Sequence, residues 1–243
     1  MKLHYAVECR KGAVVLAGEH GLGKTYLSHV LEEELSSTYR PFIRMVFPQC
    51  SPSEMLSYLA VGLGAPEESG PVRIDRCLRQ IEGQLTQLNQ QKRHPVVVVD
   101  EAHLLEPSHL LTLQLLLNLP GCRSQDDVPM DFCLILLGRP ELLPQIARIH
   151  SLSDRISVTS VLRPFTAEES LEYVRQRLRA AGADERVIQS DTLQTLWELS
   201  HGVPRRINQI ADLSLLVGMA DQRNVISAVD LETAAVELTG KAA

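Results

Sequence analysis

Ala13-Val14-Val15-Leu16-Ala17-Gly18-Glu19-His20-Gly21-Leu22-Gly23-Lys24-Thr25 joins a short apolar run to a complete G-x-x-x-x-G-K-[ST] loop, and Leu27, Val30, Leu31 and Leu35 then follow at helical spacing. The apolar pentad predicts a buried strand, and Lys24 to Ser36 a helix. Strand, glycine loop and helix N-terminus in that order make an anion site. Loop N–H groups and the positive helix end point at phosphates, Lys24 is expected to reach the β- and γ-phosphates, and Thr25 to reach Mg²⁺. At ordinary glycine usage the bare pattern arises by accident in about one in a hundred chains of this length, and its strand-and-helix setting makes accident rarer. The expected nucleotide contacts are Gly18, Glu19, His20, Gly21, Leu22, Gly23, Lys24, Thr25 and the adjoining Tyr26. The ligand implied is a nucleoside triphosphate.

The next informative stretch is Pro95-Val96-Val97-Val98-Val99, β-branched and uninterrupted, which predicts a central strand buried on both faces. It runs into Asp100-Glu101. Ligands of an open parallel sheet bind beyond the carboxyl ends of its strands, so a carboxylate pair there stands beside the phosphate loop. Asp100 is expected to hold the Mg²⁺ shell, and Glu101 to orient and polarise the attacking water. Alone, two acids after a valine strand are as well explained by capping of the next helix. The phosphate loop upstream is what favours the catalytic reading. Asp100-Glu101-Ala102-His103 also spells the box of the DEAH helicases, which need two tandem motor domains and far more than 243 residues. His103 is therefore read as the start of the following helix.

Outward from these two motifs the elements alternate. Helix is expected at residues 1–10, strand at 41–47, helices at 53–63, 72–91 and 106–119, and strands at 132–137 and 156–162. That alternation implies α/β architecture, a mainly parallel sheet with helices on both faces. After Arg163-Pro164 the pattern becomes purely helical. Thr166-x-x-Glu169 opens one helix with a capping box and Gly182 ends it, and three more follow at 190–200, 204–219 and 227–238. The expected division is a nucleotide-binding αβα domain over 1–163 and a small all-helical domain over 164–243.

Gly202-Val203-Pro204-Arg205-Arg206-Ile207-Asn208 stands out in the helical part. Pro204 suits a first helical position, and two arginines then face the positive helix end, unfavourable by about 0.3–1 kcal/mol each. Residues that oppose their own helix dipole are candidates for binding an external anion, and a triphosphate between the domains fits. Arg148 and Arg155 lie between the last two strands. Either can be a finger offered to a neighbouring subunit, although the residues alone favour ordinary surface arginines.

Composition bounds the rest. With 44% apolar and 22% charged residues the chain is an ordinary globular one, and at 4% aromatic residues it lacks stacking platforms for single-stranded nucleic acid. A net charge of −6 argues against a surface basic all over. Five scattered cysteines, none in C-x-x-C spacing, read as reduced thiols in a cytoplasmic protein. No apolar run is long enough for a membrane span, and the first residues show no signal-peptide pattern.

Taken together, these motifs resemble the AAA+ ATPases, and more narrowly the ExeA/GspA-type and TnsC-type bacterial family of transposition and secretion ATPases. The resemblance rests on Arg10-Lys11-Gly12 ahead of the phosphate loop, Val96 to His103, Leu136-Leu137-Gly138-Arg139-Pro140-Glu141-Leu142, Asp154-Arg155-Ile156, Leu162-Arg163-Pro164-Phe165, and Gly202 to Asn208. It implies a P-loop NTPase (AAA+) sheet domain with a helical lid, ATP and Mg²⁺ as ligands, and hydrolysis at the interfaces of a homo-oligomeric ring or filament. Lys24 and Thr25 take the Walker A roles and Asp100 and Glu101 the Walker B roles. Arg155 matches the finger acting in trans, and Arg205 the second sensor. Two departures stand out. Arg139 occupies the first-sensor position, where the family has a small polar residue or glutamine. The family's segment ahead of residues 2–10, which closes over adenine, is largely missing, implying weaker hold on the base.

Two biological roles follow. The first is a regulator of the transposition type, assembling on duplex DNA and serving a recombinase; Arg73, Arg76 and Arg79 on one helix face, with Lys92 and Arg93, are its support, although such a face is more often simply solvated. The alternative is a secretion-assembly ATPase working on protein or envelope partners, whose relatives carry a membrane span and a periplasmic module after the ATPase. A switch with little turnover is the third reading, suggested by Arg139 and by the short stretch expected ahead of the first helix.

Overall fold

The computed structural model describes residues 2–46, 50–67, 70–119, 132–184, 187–188 and 190–240. Its elements in order are α1 (Lys2–Glu8), β1 (Ala13–Ala17), α2 (Lys24–Glu34), β2 (Phe42–Met45), α3 (Pro52–Gly62), α4 (Ile74–Gln90), β3 (Val96–Val99), α5 (Pro107–Leu116), β4 (Cys133–Gly138), α6 (Leu142–Ala147), α7 (His150–Ser153), β5 (Ile156–Val161), α8 (Ala167–Ala180), α9 (Ser190–Ser200), α10 (Pro204–Ala220) and α11 (Ala228–Thr239). Short 3₁₀ turns occupy Ser37–Tyr39 and Ala102–Leu104. The chain divides into two compact units, Met1–Glu19 with Lys24–Leu162, and His20–Gly23 with Arg163–Ala243.

The first unit is built on one sheet in the order β2-β3-β4-β1-β5, parallel throughout. β1, β3 and β4 are wholly buried, as their unbroken apolar runs require. Side chains alternate between the two faces, which splits the core in two. Val15, Met45, Val97, Val99, Leu134 and Leu136 pack on one side with residues of α3, α4, α5 and α6. Val14, Leu16, Val96, Val98, Ile135 and Leu137 pack on the other with Leu3 and Val7 of α1 and Leu31 of α2. β5 is an edge strand, alternately half-buried and exposed. Because the register pairs Ala17 with Gly138 and Val99 with Leu136, the carboxyl ends of β1, β3 and β4 come out at one edge.

The segment between β4 and β5, expected only as a connection carrying arginines, contains α6 and α7. Both are short, six and four residues, and Pro144 sits inside the first. Proline is tolerated in a first turn, but such brief elements give no periodicity to read. The expected strand over 41–47 ends at Met45, and residues 47–49 lie outside the described ones.

The second unit gathers its apolar residues into a separate core of Val174, Leu178, Leu193, Leu196, Ile207, Ile210 and Leu231. Thr166 caps α8 as expected: its Oγ1 accepts from the Glu169 N–H at 3.2 Å, and Glu169 accepts from the Thr166 N–H at 2.8 Å. Ser227 closes onto Asp230, whose Oδ2 accepts from the Ser227 N–H at 2.9 Å.

Candidate nucleotide site

The loop after β1 begins with the Gly18 N–H donating to Gly138 O at 3.1 Å, which fixes its base against the end of β4. Gly21 and Gly23 have φ of +83° and +89°, a region that side chains other than glycine adopt only with strain. At Gly23 a Cβ would meet no described atom within 4 Å beyond its chain neighbours, so the backbone conformation and not crowding is what calls for glycine there. Lys24 opens α2 and is 7% exposed. Its Nζ donates to Gly18 O at 2.7 Å and to Glu19 O at 3.0 Å. Burial holds its pKa below the usual lysine range. The carboxylates of Glu101 and Asp100 oppose that effect, Arg139 adds to it, and Glu19 opposes it.

Thr25 Oγ1 donates to Asp100 Oδ2 at 2.6 Å, joining the first turn of α2 to the end of β3. Asp100 is buried at 2% exposure, and its other oxygen accepts the Glu101 N–H at 2.8 Å. A hydroxyl and a carboxylate oxygen this close are a hard-oxygen pair of the kind Mg²⁺ uses when phosphates and waters complete its shell. The residues present therefore fit both ligands implied by the loop, a triphosphate and Mg²⁺. Glu101 itself has φ of +51° and leaves its side chain 37% exposed, turned out of the buried row that holds Asp100.

The remaining expected contacts are distributed differently. Leu22 is buried, Glu19 and His20 are exposed, and Tyr26 is 68% exposed. Within the second unit the Arg205 N–H donates to Gly21 O at 3.2 Å, and its guanidinium hydrogen-bonds the His20 ring. A Cβ on Gly21 would stand 3.0 Å from Val203 and 3.1 Å from Arg205. Arg155 is half-buried and is not among the groups around Lys24. It donates to Leu117 O at 3.1 Å and to the Asn118 side-chain oxygen, both just beyond α5.

A model of the AAA domain family matches residues 8–146, more than half of the chain. The chain belongs to the AAA family. Across 242 residues, 98% of its length, it is 32% identical to general secretion pathway protein A of Aeromonas hydrophila, of which it spans 43%. In fold this AAA protein is similar to the Aeropyrum pernix ORC2 protein (TM-score 0.73, 16% identity, covering 100% of this chain and 66% of that one). It is likewise similar to Cdc6p of Pyrobaculum aerophilum (0.71, 18%, 93% and 60%) and a RuvB mutant of Thermotoga maritima (0.66, 18%, 98% and 68%). At such identities these likenesses speak for the fold alone. The secretion-type half of the resemblance has a relative behind it; the transposition-type half draws no support from these proteins.

Two features of this AAA site escape sequence reading. Arg139, exposed at the end of β4, is near enough for its positive charge to lower the pKa of Lys24; its place after the strand marks it in the sequence, but that nearness to Lys24 does not show there. His103, expected only to begin a helix, lies in the 3₁₀ turn Ala102–Leu104 with its Nδ1 3.4 Å from Glu101 Oε2. The DEAH spelling was the signal available for it.

Proposed function

We propose that this AAA protein hydrolyses ATP with Mg²⁺ and couples the cycle to assembly of a homo-oligomer that works on protein partners of the secretion-assembly kind. The single observation that carries the chemistry is the 2.6 Å bond between Thr25 and Asp100 beside a buried Lys24. Lys24 would neutralise the phosphates, Thr25 and Asp100 would hold Mg²⁺, and Arg205, the expected second sensor, would add positive charge. Bound Mg²⁺ supplies charge neutralisation on the phosphate oxygens. Glu101, one residue past the metal-side carboxylate and free on one side, would accept a proton from water as its oxygen bonds to the γ-phosphorus and the bond to the β,γ-bridging oxygen breaks, releasing ADP and phosphate. Arg155 would complete a neighbour's site as a finger in trans, leaving its own Leu117 and Asn118 contacts to do so.

The similarity to general secretion pathway protein A over nearly the whole chain supports the secretion-type role. The DNA-directed alternative rests on Arg73, Arg76 and Arg79 with Lys92 and Arg93; Arg73 and Arg79 share the one carboxylate of Asp75, at 3.2 and 2.6 Å, which answers a single one of those charges. Among the described residues no helix is long and apolar enough to cross a membrane. We place the protein in the cytoplasm, where ATP is available. The test is Glu101→Gln, assayed with Mg²⁺ and ATP. Binding of ATP is expected to persist while hydrolysis falls roughly 10²- to 10⁴-fold. Equal turnover in variant and parent would remove Glu101 from this role.

A further inference from the structure

The turn that carries Glu101 is tightly held, and the holding involves His103. Glu101 adopts a left-handed backbone conformation, which a residue with a Cβ keeps only where its surroundings impose it. The Leu104 N–H donates to Glu101 O at 2.9 Å, closing the 3₁₀ turn. From α6, Gln145 Nε2 donates to His103 O at 3.1 Å. At Gly138, on the other side, a Cβ would come within 3.1 Å of the His103 nitrogen and 2.9 Å of Leu142. The backbone of His103 is thus held between the end of β4 and the start of α6.

That ring is aimed at Glu101. His103 Nδ1 stands 3.4 Å from Glu101 Oε2, with the His103 side chain 12% exposed. Nδ1 is buried and makes no hydrogen bond among the described residues. An imidazole nitrogen left unpaired in the interior costs about 1–3 kcal/mol, and the Glu101 carboxylate, a few tenths of an ångström beyond bonding reach, is an acceptor that a small rotation would engage. Side-chain exposure rises from His103 to Glu101, so the contact runs from the protein interior toward the side where the carboxylate is open.

We propose that His103 is a positioning residue for Glu101: its Nδ1–H donates to one carboxylate oxygen and thereby fixes the other for taking the proton from water. This rests on the role given to Glu101 above. A ring that merely filled space would matter for folding and not for Glu101.

The experiment is a double-mutant cycle on the whole chain, with steady-state and single-turnover ATP hydrolysis, nucleotide affinity by a fluorescent ATP analogue, and thermal melting of each variant. His103→Ala is expected to lower kcat about 10- to 100-fold, the scale of a misplaced catalytic group, with nucleotide affinity within twofold of the parent. His103→Gln, which keeps an N–H donor, is expected to recover most of the rate. In the Glu101→Gln background, His103→Ala is expected to change single-turnover hydrolysis less than twofold, because groups acting as one unit are not additive. Should His103→Ala melt before assay, His103→Phe replaces it, keeping the volume without the donor. Parent-like kcat in the donor-less variant, or full additivity with Glu101→Gln, overturns the proposal. If Glu101→Gln itself turns over like the parent, the role of Glu101 fails first, and that result is read separately.

Discussion

His94 shows how much one buried residue can contribute to the behaviour of the sheet domain. It precedes β3, is 1% exposed, and its N–H donates to Thr38 O at 2.7 Å. Its ring meets Tyr39 edge-on at 6.2 Å between centroids, and Nε2 has no hydrogen-bond partner among the described residues. Burial, with Arg10 nearby, pulls its pKa from 6.5 down to about 4. Below pH 6.5 the unfolded chain therefore takes a proton that the folded chain refuses. Stability contributed by the neutral ring is intact above pH 6.5 and is lost progressively as pH falls toward 4, by about 3 kcal/mol in all. Urea unfolding of parent and His94→Phe at pH 7 and pH 4 should show the parent losing more stability than the variant by roughly that amount. Equal losses would mean the ring is not held neutral. Nothing in the sequence announces this residue. A single histidine between Arg93 and Pro95 has no spacing partner, so its burial follows only from where β3 enters the sheet. The same holds for His103, whose chemistry depends on a turn and not on a repeat. Lys24, Thr25 and Asp100 were legible because a phosphate loop and a strand-end carboxylate come with fixed neighbours on both sides.

Among the elements, strands were read well where both faces are buried and helices where caps or periodicity mark them. Val96–Val99 and Cys133–Gly138 are apolar at every position, and α8 opens on a reciprocal capping box. The pair α6 and α7 is not legible in the sequence because neither spans enough residues to show a face. Within the helical unit, the turn between α9 and α10 is held by Gly202, a position more constrained than its sequence suggests. Gly202 has φ of +69°, and a Cβ there would stand 2.1 Å from Phe165 O. That carbonyl accepts from Trp197 Nε1 at 3.0 Å, while the Phe165 N–H donates to Gly202 O at 2.8 Å. Gly202→Ala must therefore displace the hydrogen-bonded link at Phe165 as well as strain its own backbone, an expected loss of about 2–4 kcal/mol. Thr166→Ala, which removes one cap, should cost about 1 kcal/mol. Trp197 is the chain's only tryptophan, so its fluorescence reports the melting of this unit directly. A Gly202→Ala midpoint at or above that of Thr166→Ala would refute the ranking.

For the whole molecule, the open question is whether one chain holds a complete active site. Lys24, Thr25, Asp100 and Glu101 come together in the first unit, and Arg155 does not join them; it bonds the Leu117 carbonyl and Asn118 instead. A guanidinium spent on its own subunit can serve a neighbour only if association offers it a better partner, such as the phosphate charge of the adjoining site. The rate per subunit should then rise with protein concentration, in step with particle size. Arg155→Ala and Lys24→Ala chains, each nearly inactive, should recover activity when mixed, because an interface with Arg155 from one and Lys24 from the other is whole. If mixing gives only the sum of the two residual rates, Arg155 acts within its own chain or only supports the end of α5. Duplex DNA added to the same titration separates the two biological roles. A secretion-type assembly should respond to concentration and ignore DNA. Stimulation by DNA that weakens steeply with salt, as release of counterions from phosphate contacts requires, would instead restore the transposition-type role, for which Arg73 at the cap of α4 and Arg76 and Arg79 within it are the candidate contacts.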